Sequence, residues 1–106
     1  MTQHALSYTH GTTEVPLRGD TIGAMWDAAV ARHGGRDALV SRHQGIRWTY
    51  AQLDEQVRRC ARALLASGVE RGDRVGIWSP NAAEWVVVQF ATAKIGAILV
   101  NLNPDY

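Results

Sequence analysis

The sequence predicts an α/β fold, built as a helix, a β-hairpin, a second helix and a parallel βαβ unit. Three observations carry that reading. Arg74 to Ser79 (RVGIWS) and Ala97 to Val100 (AILV) are short apolar runs, each opened by glycine at Gly72 and Gly96. Between them lies a helix, Asn81 to Ile95, and a strand, a crossover of a dozen or more residues and a second strand require parallel strands and a right-handed connection. That helix is apolar all round: Ala82, Trp85, Val86, Val88, Phe90 and Ile95 point in every direction, with Glu84, Gln89, Thr92 and Lys94 as the polar interruptions. Such a helix belongs in the middle of a larger protein or in a membrane. A spanning helix needs about 20 apolar residues, so Glu84 and Lys94 near its two ends argue against a transmembrane segment.

The elements before this unit carry their own signals. The first helix is expected from Ile22 to His33, with Asp20 or Thr21 as N-cap and Gly34-Gly35 ending it. Ile22, Met25, Trp26, Ala29, Val30 and His33 fall on one face. Asp37 to Arg42 and Ile46 to Thr49 read as a hairpin joined by the three-residue turn His43-Gln44-Gly45. The second helix, Tyr50 to Ser67, opens with a T-x-x-Q capping box, Thr49 and Gln52, flanked by Trp48 and Leu53 as a hydrophobic staple. Leu53, Val57, Cys60, Ala61, Leu64 and Leu65 form its apolar stripe. Asp54 with Arg58 and Glu55 with Arg59 are expected as ion pairs on its wet side, and Gly68 as the residue just past its end. Asn81 and Glu84 are expected to form a second capping box after Pro80. Residues 1 to 19 read as a flexible polar lead-in, with Pro16 discouraging helix.

Composition narrows the function classes. With 106 residues, 46% hydrophobic and 20% charged, the chain has ordinary globular composition and room for one modest core. A net charge of +1 gives no electrostatic case for nucleic acid. Cys60, the single cysteine, rules out an internal disulfide and suits a reducing cytoplasm. The N-terminus has no basic stretch followed by an apolar one, so no secretory signal is read.

Chemistry-bearing patterns were weighed against plainer accounts. The strand-to-helix connection Trp78-Ser79-Pro80-Asn81 sits where nucleotides bind in α/β folds. It holds no glycine for close backbone approach, so neither G-x-G-x-x-G nor G-x-x-x-x-G-K-[ST] is present. Lys94, the sole lysine, lies in a last helical turn, where a cation offsets the dipole. Cys60 reads as a small buried hydrophobe rather than a nucleophile. His4, His10, His33 and His43 give no metal spacing. Arg18-Gly19-Asp20 and Arg71-Gly72-Asp73 spell a cell-adhesion tripeptide but fall where a turn or cap is wanted. Trp26, Trp48, Trp78 and Trp85 read as core or cap residues rather than a base-stacking platform.

From about Asp20 onward the chain resembles the N-terminal part of acyl-CoA synthetases. These belong to the AMP-forming, adenylate-forming superfamily that also contains luciferases and peptide-synthetase adenylation domains. The segments that carry the likeness are TIGAMWDAAVARHGGRDALV and RWTYAQLDEQVRRCARALLASGVERGDRVGIWSPNAAEWVVVQFATAKIGAILVNLNPDY. Within the superfamily it looks most like medium-chain and long-chain fatty acyl-CoA ligases, in the order G-D-R-V, W-x-P-N, A-x-x-x-G and V-N-x-N-P.

The resemblance implies a two-step reaction in which ATP and a fatty acid give an acyl-adenylate and pyrophosphate, after which the thiol of CoA displaces AMP. ATP, Mg2+ and CoA are implied for the whole family member. The family's phosphate loop, adenine and magnesium motif, ribose-binding aspartate and C-terminal lysine have no counterpart here. No catalytic, cofactor-binding or metal residue is therefore carried over. Thr49, Gly68, Gly72, Pro80, Asn81 and Gly96 match as scaffold. The expectation is a partial N-terminal subdomain over residues 20–106, arising by truncation or gene decay, and inactive alone. The alternative is a standalone interaction module that self-associates through its sheet edge and apolar helix.

Overall fold

The computed structural model describes residues 5–106. Residues 5–20 carry no helix or strand and are exposed. The elements that follow are α1 (Ile22–His33), β1 (Asp37–Ser41), β2 (Ile46–Thr49), α2 (Tyr50–Ala66), β3 (Arg74–Trp78), α3 (Ala83–Ile95) and β4 (Ile98–Leu102). The order and class are those the sequence predicts.

α1 is capped by Thr21, whose Oγ1 accepts from Ala24 N–H at 3.1 Å. Its inward face is narrower than the periodicity suggests: Trp26 is buried, whereas Ile22 at the open end is exposed. After α1 the chain is tied back at once. Ala51 N–H donates to Gly34 C=O at 3.0 Å and Tyr50 N–H to Arg36 C=O at 2.9 Å, which joins the start of the hairpin to the start of α2.

β1 and β2 pair antiparallel, with Leu39 opposite Trp48 and Ser41 opposite Ile46, and with an irregularity in register between Asp37 and Leu39. The connection differs from the three-residue turn expected. Arg42 leaves the strand to open a single 3-10 turn over Arg42–Gln44. Gly45 closes it at φ 66°, a left-handed conformation that costs glycine nothing. Its N–H donates to Arg42 C=O at 3.1 Å.

α2 has the capping box in full: Thr49 Oγ1 accepts from Gln52 N–H at 3.2 Å, and Gln52 Oε1 accepts from Thr49 N–H at 2.9 Å. Ser67 is its C-cap, and Gly68 follows at φ 95°. Val69 N–H reaches Leu64 C=O at 3.1 Å, and this bond closes the helix end. Two expectations for α2 are corrected. Leu65 is exposed rather than part of the stripe. Asp54 is not on the wet side but is 4% exposed. It lies three residues before Val57 and seven before Ala61, which puts it on the buried face. Among the described residues, Glu55 and Arg59 form no ion pair within 4.0 Å.

β3 and β4 are parallel, running from Arg74 opposite Ile98 to Trp78 opposite Leu102. α3 joins them and lies centrally, against α1, α2, β1, β3 and β4. Only Glu84 and Gln89 of its residues are exposed. The core consists of Trp26, Leu53, Val57, Ala61, Val87 and Ala91, at the junction of the three helices. Trp26 stacks on Phe90 with ring centroids 4.3 Å apart. Thr92, a polar interruption in the sequence, is buried, and its hydroxyl donates to the carbonyls of Val88 and Gln89, each at 2.9 Å. That back-bonding lets a hydroxyl enter an apolar core. Trp78, expected in the core, is 62% exposed. Its indole N–H donates to Asn103 C=O at 3.0 Å, and among the described residues no element covers the face of β3 that it occupies.

Candidate functional site

The place to look for ligand chemistry in an α/β unit is the carboxyl end of its parallel strands. Here that end is formed by residues 79–82 after β3 and by the last residues of β4, 101–102, with residues 103–104 after it. A cavity of about 460 Å³ lies between them, lined by Ser79, Asn81, Trp85, Asn101 and Asn103. A second, of about 380 Å³, lies on the other side of the α3 N-terminus against the hairpin, lined by Leu39, Ser41, His43, Ala83 and Val86. Asn81 and Trp85 line both.

The expected Asn81 and Glu84 capping box does not form. α3 starts at Ala83 with Ala82 as N-cap, φ −155° and ψ 159°, and no side chain of the local sequence caps it. The acceptor comes from the hairpin instead: Gln44 Oε1 takes the N–H of Ala83 at 2.8 Å. Gln44 Nε2 donates to both oxygens of the Glu84 carboxylate, at 2.9 and 3.2 Å. This bond lowers the Glu84 carboxyl from its ordinary value, with smaller contributions from a hydrogen bond to its own backbone and then from nearby His43.

That arrangement does not fit a phosphate. A first-turn N–H that would face an anion is already bonded, a carboxylate stands beside it, and no glycine at 78–81 opens the backbone. Among the described residues, no group of three or more His, Cys, Asp or Glu side chains could hold a metal ion. No step through ATP or magnesium is therefore derived from these residues.

The other residues weighed for chemistry are engaged structurally. Lys94 Nζ sits 2.6 Å from Asp27 Oδ1 and ties α3 to α1. Cys60 packs partly buried against the core, and burial pushes its thiol up from the ordinary value. Arg18 and Asp20 close a two-bond ion pair at 2.6 and 3.0 Å before α1. In the second tripeptide, Gly72 N–H donates to Gly96 C=O at 2.9 Å and Asp73 Oδ2 accepts from Glu70 N–H at 2.8 Å. The second tripeptide is thus spent on a turn, and the first on an ion pair before α1. His10 lies beside Tyr8 in the segment before α1, His33 beside Tyr50, and His43 at the hairpin tip. His4 lies outside the described residues. Trp26, Trp48, Trp78 and Trp85 do not converge on one surface: Trp26 is buried, Trp48 packs on the core, Trp85 lines the cavities and Trp78 caps the strand ends.

The residues reasoning from sequence missed are Gln44 and Asp54. Asp54 Oδ1 accepts from the Trp26 indole N–H at 2.8 Å, and its Oδ2 meets Arg58 Nε at 2.8 Å.

Helix, antiparallel hairpin, helix and parallel βαβ unit, in this order, make the fold of the N-terminal portion of adenylate-forming enzymes. The N-terminal domain of FACL13 from Mycobacterium tuberculosis superimposes with a TM-score of 0.79 and 33% identity, over 82% of this chain and 22% of that one. A Mycobacterium tuberculosis fatty acyl CoA synthetase superimposes with a TM-score of 0.78 and 34% identity, over 81% of this chain and 17% of that one. The family described as AMP-binding enzyme matches residues 26–106, and the chain belongs to it. The chain is similar to the mitochondrial medium-chain acyl-CoA ligase ACSF2 of Danio rerio, at 48% identity over 94% of the chain. The Rattus norvegicus ligase of the same name is also 48% identical, over 95% of the chain. The chain spans about one-sixth of these relatives, 16% of each.

Proposed function

We propose that residues 20–106 are the N-terminal scaffold of a medium-chain fatty acyl-CoA ligase, and that residues 5–19 are a flexible lead-in, residues 1–4 lying outside the described residues. The observation that carries this reading is the 48% identity to the zebrafish ligase, sustained over nearly the whole chain. In this reading ATP, magnesium, CoA and the fatty acid are handled by sequence beyond this stretch, and none of residues 20–106 is catalytic. The Gln44 clamp at the α3 N-terminus supports that division, since it occupies the most obvious anion position with protein groups. Incubating the 106-residue chain with ATP, magnesium, CoA and octanoate is expected to yield no acyl-CoA. Turnover that scales with protein and persists through further purification contradicts it.

No helix among the described residues is long and apolar enough to cross a membrane. The lone free thiol of Cys60 supports a reducing compartment, which we propose to be the cytoplasm. The fish and rat relatives are named mitochondrial. Fractionation of a C-terminally tagged chain distinguishes the two placements.

A second reading, an interaction module that pairs with a second copy, draws on one surface. Trp78, Ile98, Val100 and Leu102 are exposed on the same face of the β3–β4 pair, and each strand keeps an unpaired edge. A discrete dimer in size-exclusion chromatography supports it. A monomer or an unbounded aggregate removes it.

A further inference from the structure

α3 begins without a cap of its own, because Ala82 stands at the N-cap position and offers no side-chain acceptor. The first amides of a helix have no partner inside it. Gln44 supplies one from the hairpin tip, 39 residues earlier in the chain. Both ends of its side-chain amide are committed. Oε1 accepts from Ala83 N–H at 2.8 Å and from the Ser41 hydroxyl at 2.7 Å. Nε2 donates to the Glu84 carboxylate at 2.9 and 3.2 Å. The Ala83 N–H can be served only by the oxygen and the Glu84 carboxylate only by the nitrogen, so the orientation is fixed, and the Ser41 hydroxyl donates to the same oxygen. Glu84 in the first turn also complements the positive end of the helix dipole.

We propose that Gln44 is a positioning residue. It is a helix cap supplied by the hairpin across the fold, and it sets the first turn of α3 and with it Asn81 and Trp85, the residues shared by the two cavities. Ligands seated at the carboxyl end of β3 and β4 therefore meet a wall whose placement depends on the hairpin tip. The proposal rests on this chain's own contacts and stands whether or not the ligase reading does.

Amide exchange followed by NMR on the 106-residue chain tests it directly. In the unsubstituted chain the Ala83 amide is protected, although first-turn amides ordinarily exchange freely. Gln44→Ala removes that protection by about tenfold, the scale of one net hydrogen bond. The amides of Val57 and Ala61 in α2 keep theirs, while the Asn81 side-chain and Trp85 indole resonances shift. Gln44→Glu retains an acceptor for Ala83 but sets a carboxylate against Glu84, so protection falls. Combining Gln44→Glu with Glu84→Gln reverses donor and acceptor across the pair and restores protection, an outcome that loss of bulk packing does not produce. An Ala83 amide that is unprotected in the unsubstituted chain overturns the proposal. So does one equally protected in Gln44→Ala, or a double variant no better than Gln44→Glu alone.

Discussion

The indole N–H of Trp26 in α1 donates to Asp54 Oδ1 in α2 at 2.8 Å, a buried contact between residues 28 apart. It joins the largest core side chain to a carboxylate whose other oxygen is held by Arg58. An unpaired buried polar group costs more than the bond it would have made contributes.

Asp54→Ala is therefore expected to destabilise the fold by about 2–4 kcal/mol, since it strands the Trp26 N–H inside the core. Asp54→Asn keeps a carbonyl oxygen for Trp26 but turns its amide NH2 toward the Arg58 Nε–H, so the Arg58 contact is lost. Arg58 is largely exposed and can turn to solvent, and the cost is expected to be about 1 kcal/mol, below that of Asp54→Ala. Urea unfolding followed by Trp fluorescence ranks the two. Equal costs contradict the assignment.

The end of α3 gives a backbone test. Gly96 sits at φ 76°, its N–H donates to Thr92 C=O, and a Cβ built there comes within 3.0 Å of Arg71 Cγ. Gly96→Ala combines left-handed strain with that contact and is expected to cost about 1–2 kcal/mol. Gly11→Ala, in open space before α1, is expected to leave the unfolding midpoint where it is.

Cys60 supplies the pH prediction. Burial raises its thiol above the ordinary 9.0, so the folded state favours the protonated form. At neutral pH both states keep the proton and stability is unaffected by this group. As pH approaches about 9 the unfolded thiol ionises first, and stability falls as pH rises toward the folded value. Labelling with a thiol-reactive disulfide at pH 8 is expected to be slower for Cys60 than for free cysteine, and to reach the free rate in denaturant.

The legible parts of this fold were those whose determinants are local. The Thr49 and Gln52 box, the Gly68 and Gly96 helix ends and the glycine-opened strands each depend on residues within a few positions, and each is found where the pattern puts it. The illegible parts depend on partners far along the chain. Nothing around Gln44 indicates that it caps a helix 39 residues later, and Asn81 looks like the better cap until the hairpin arrives. Asp54 is different, because its spacing from Val57 and Ala61 was a signal for the buried face. The i, i+4 pair with Arg58 pointed to the opposite side, and both proved compatible, with Asp54 inside and Arg58 reaching over it from solvent. Thr92 reads as a polar interruption for a similar reason, since a hydroxyl looks wet until helix carbonyls satisfy it.

The candidate site was legible mainly through what its residues are used for. The β3–α3 connection reads as a helix start without phosphate-binding glycine, and the structure fills that start with Gln44 and Glu84. Lys94 reads as a dipole complement, and it is held by Asp27 as well.

The central claim is that residues 20–106 are an acyl-CoA ligase scaffold, and a chimera measures it most directly. Replacing the corresponding segment of the zebrafish medium-chain ligase with these residues is expected to give a folded enzyme. Its kcat/KM for octanoate should stay within about tenfold of the parent, a change of about 1.4 kcal/mol in transition-state stabilisation. A chimera that is folded and binds ATP yet forms no octanoyl-CoA contradicts the account.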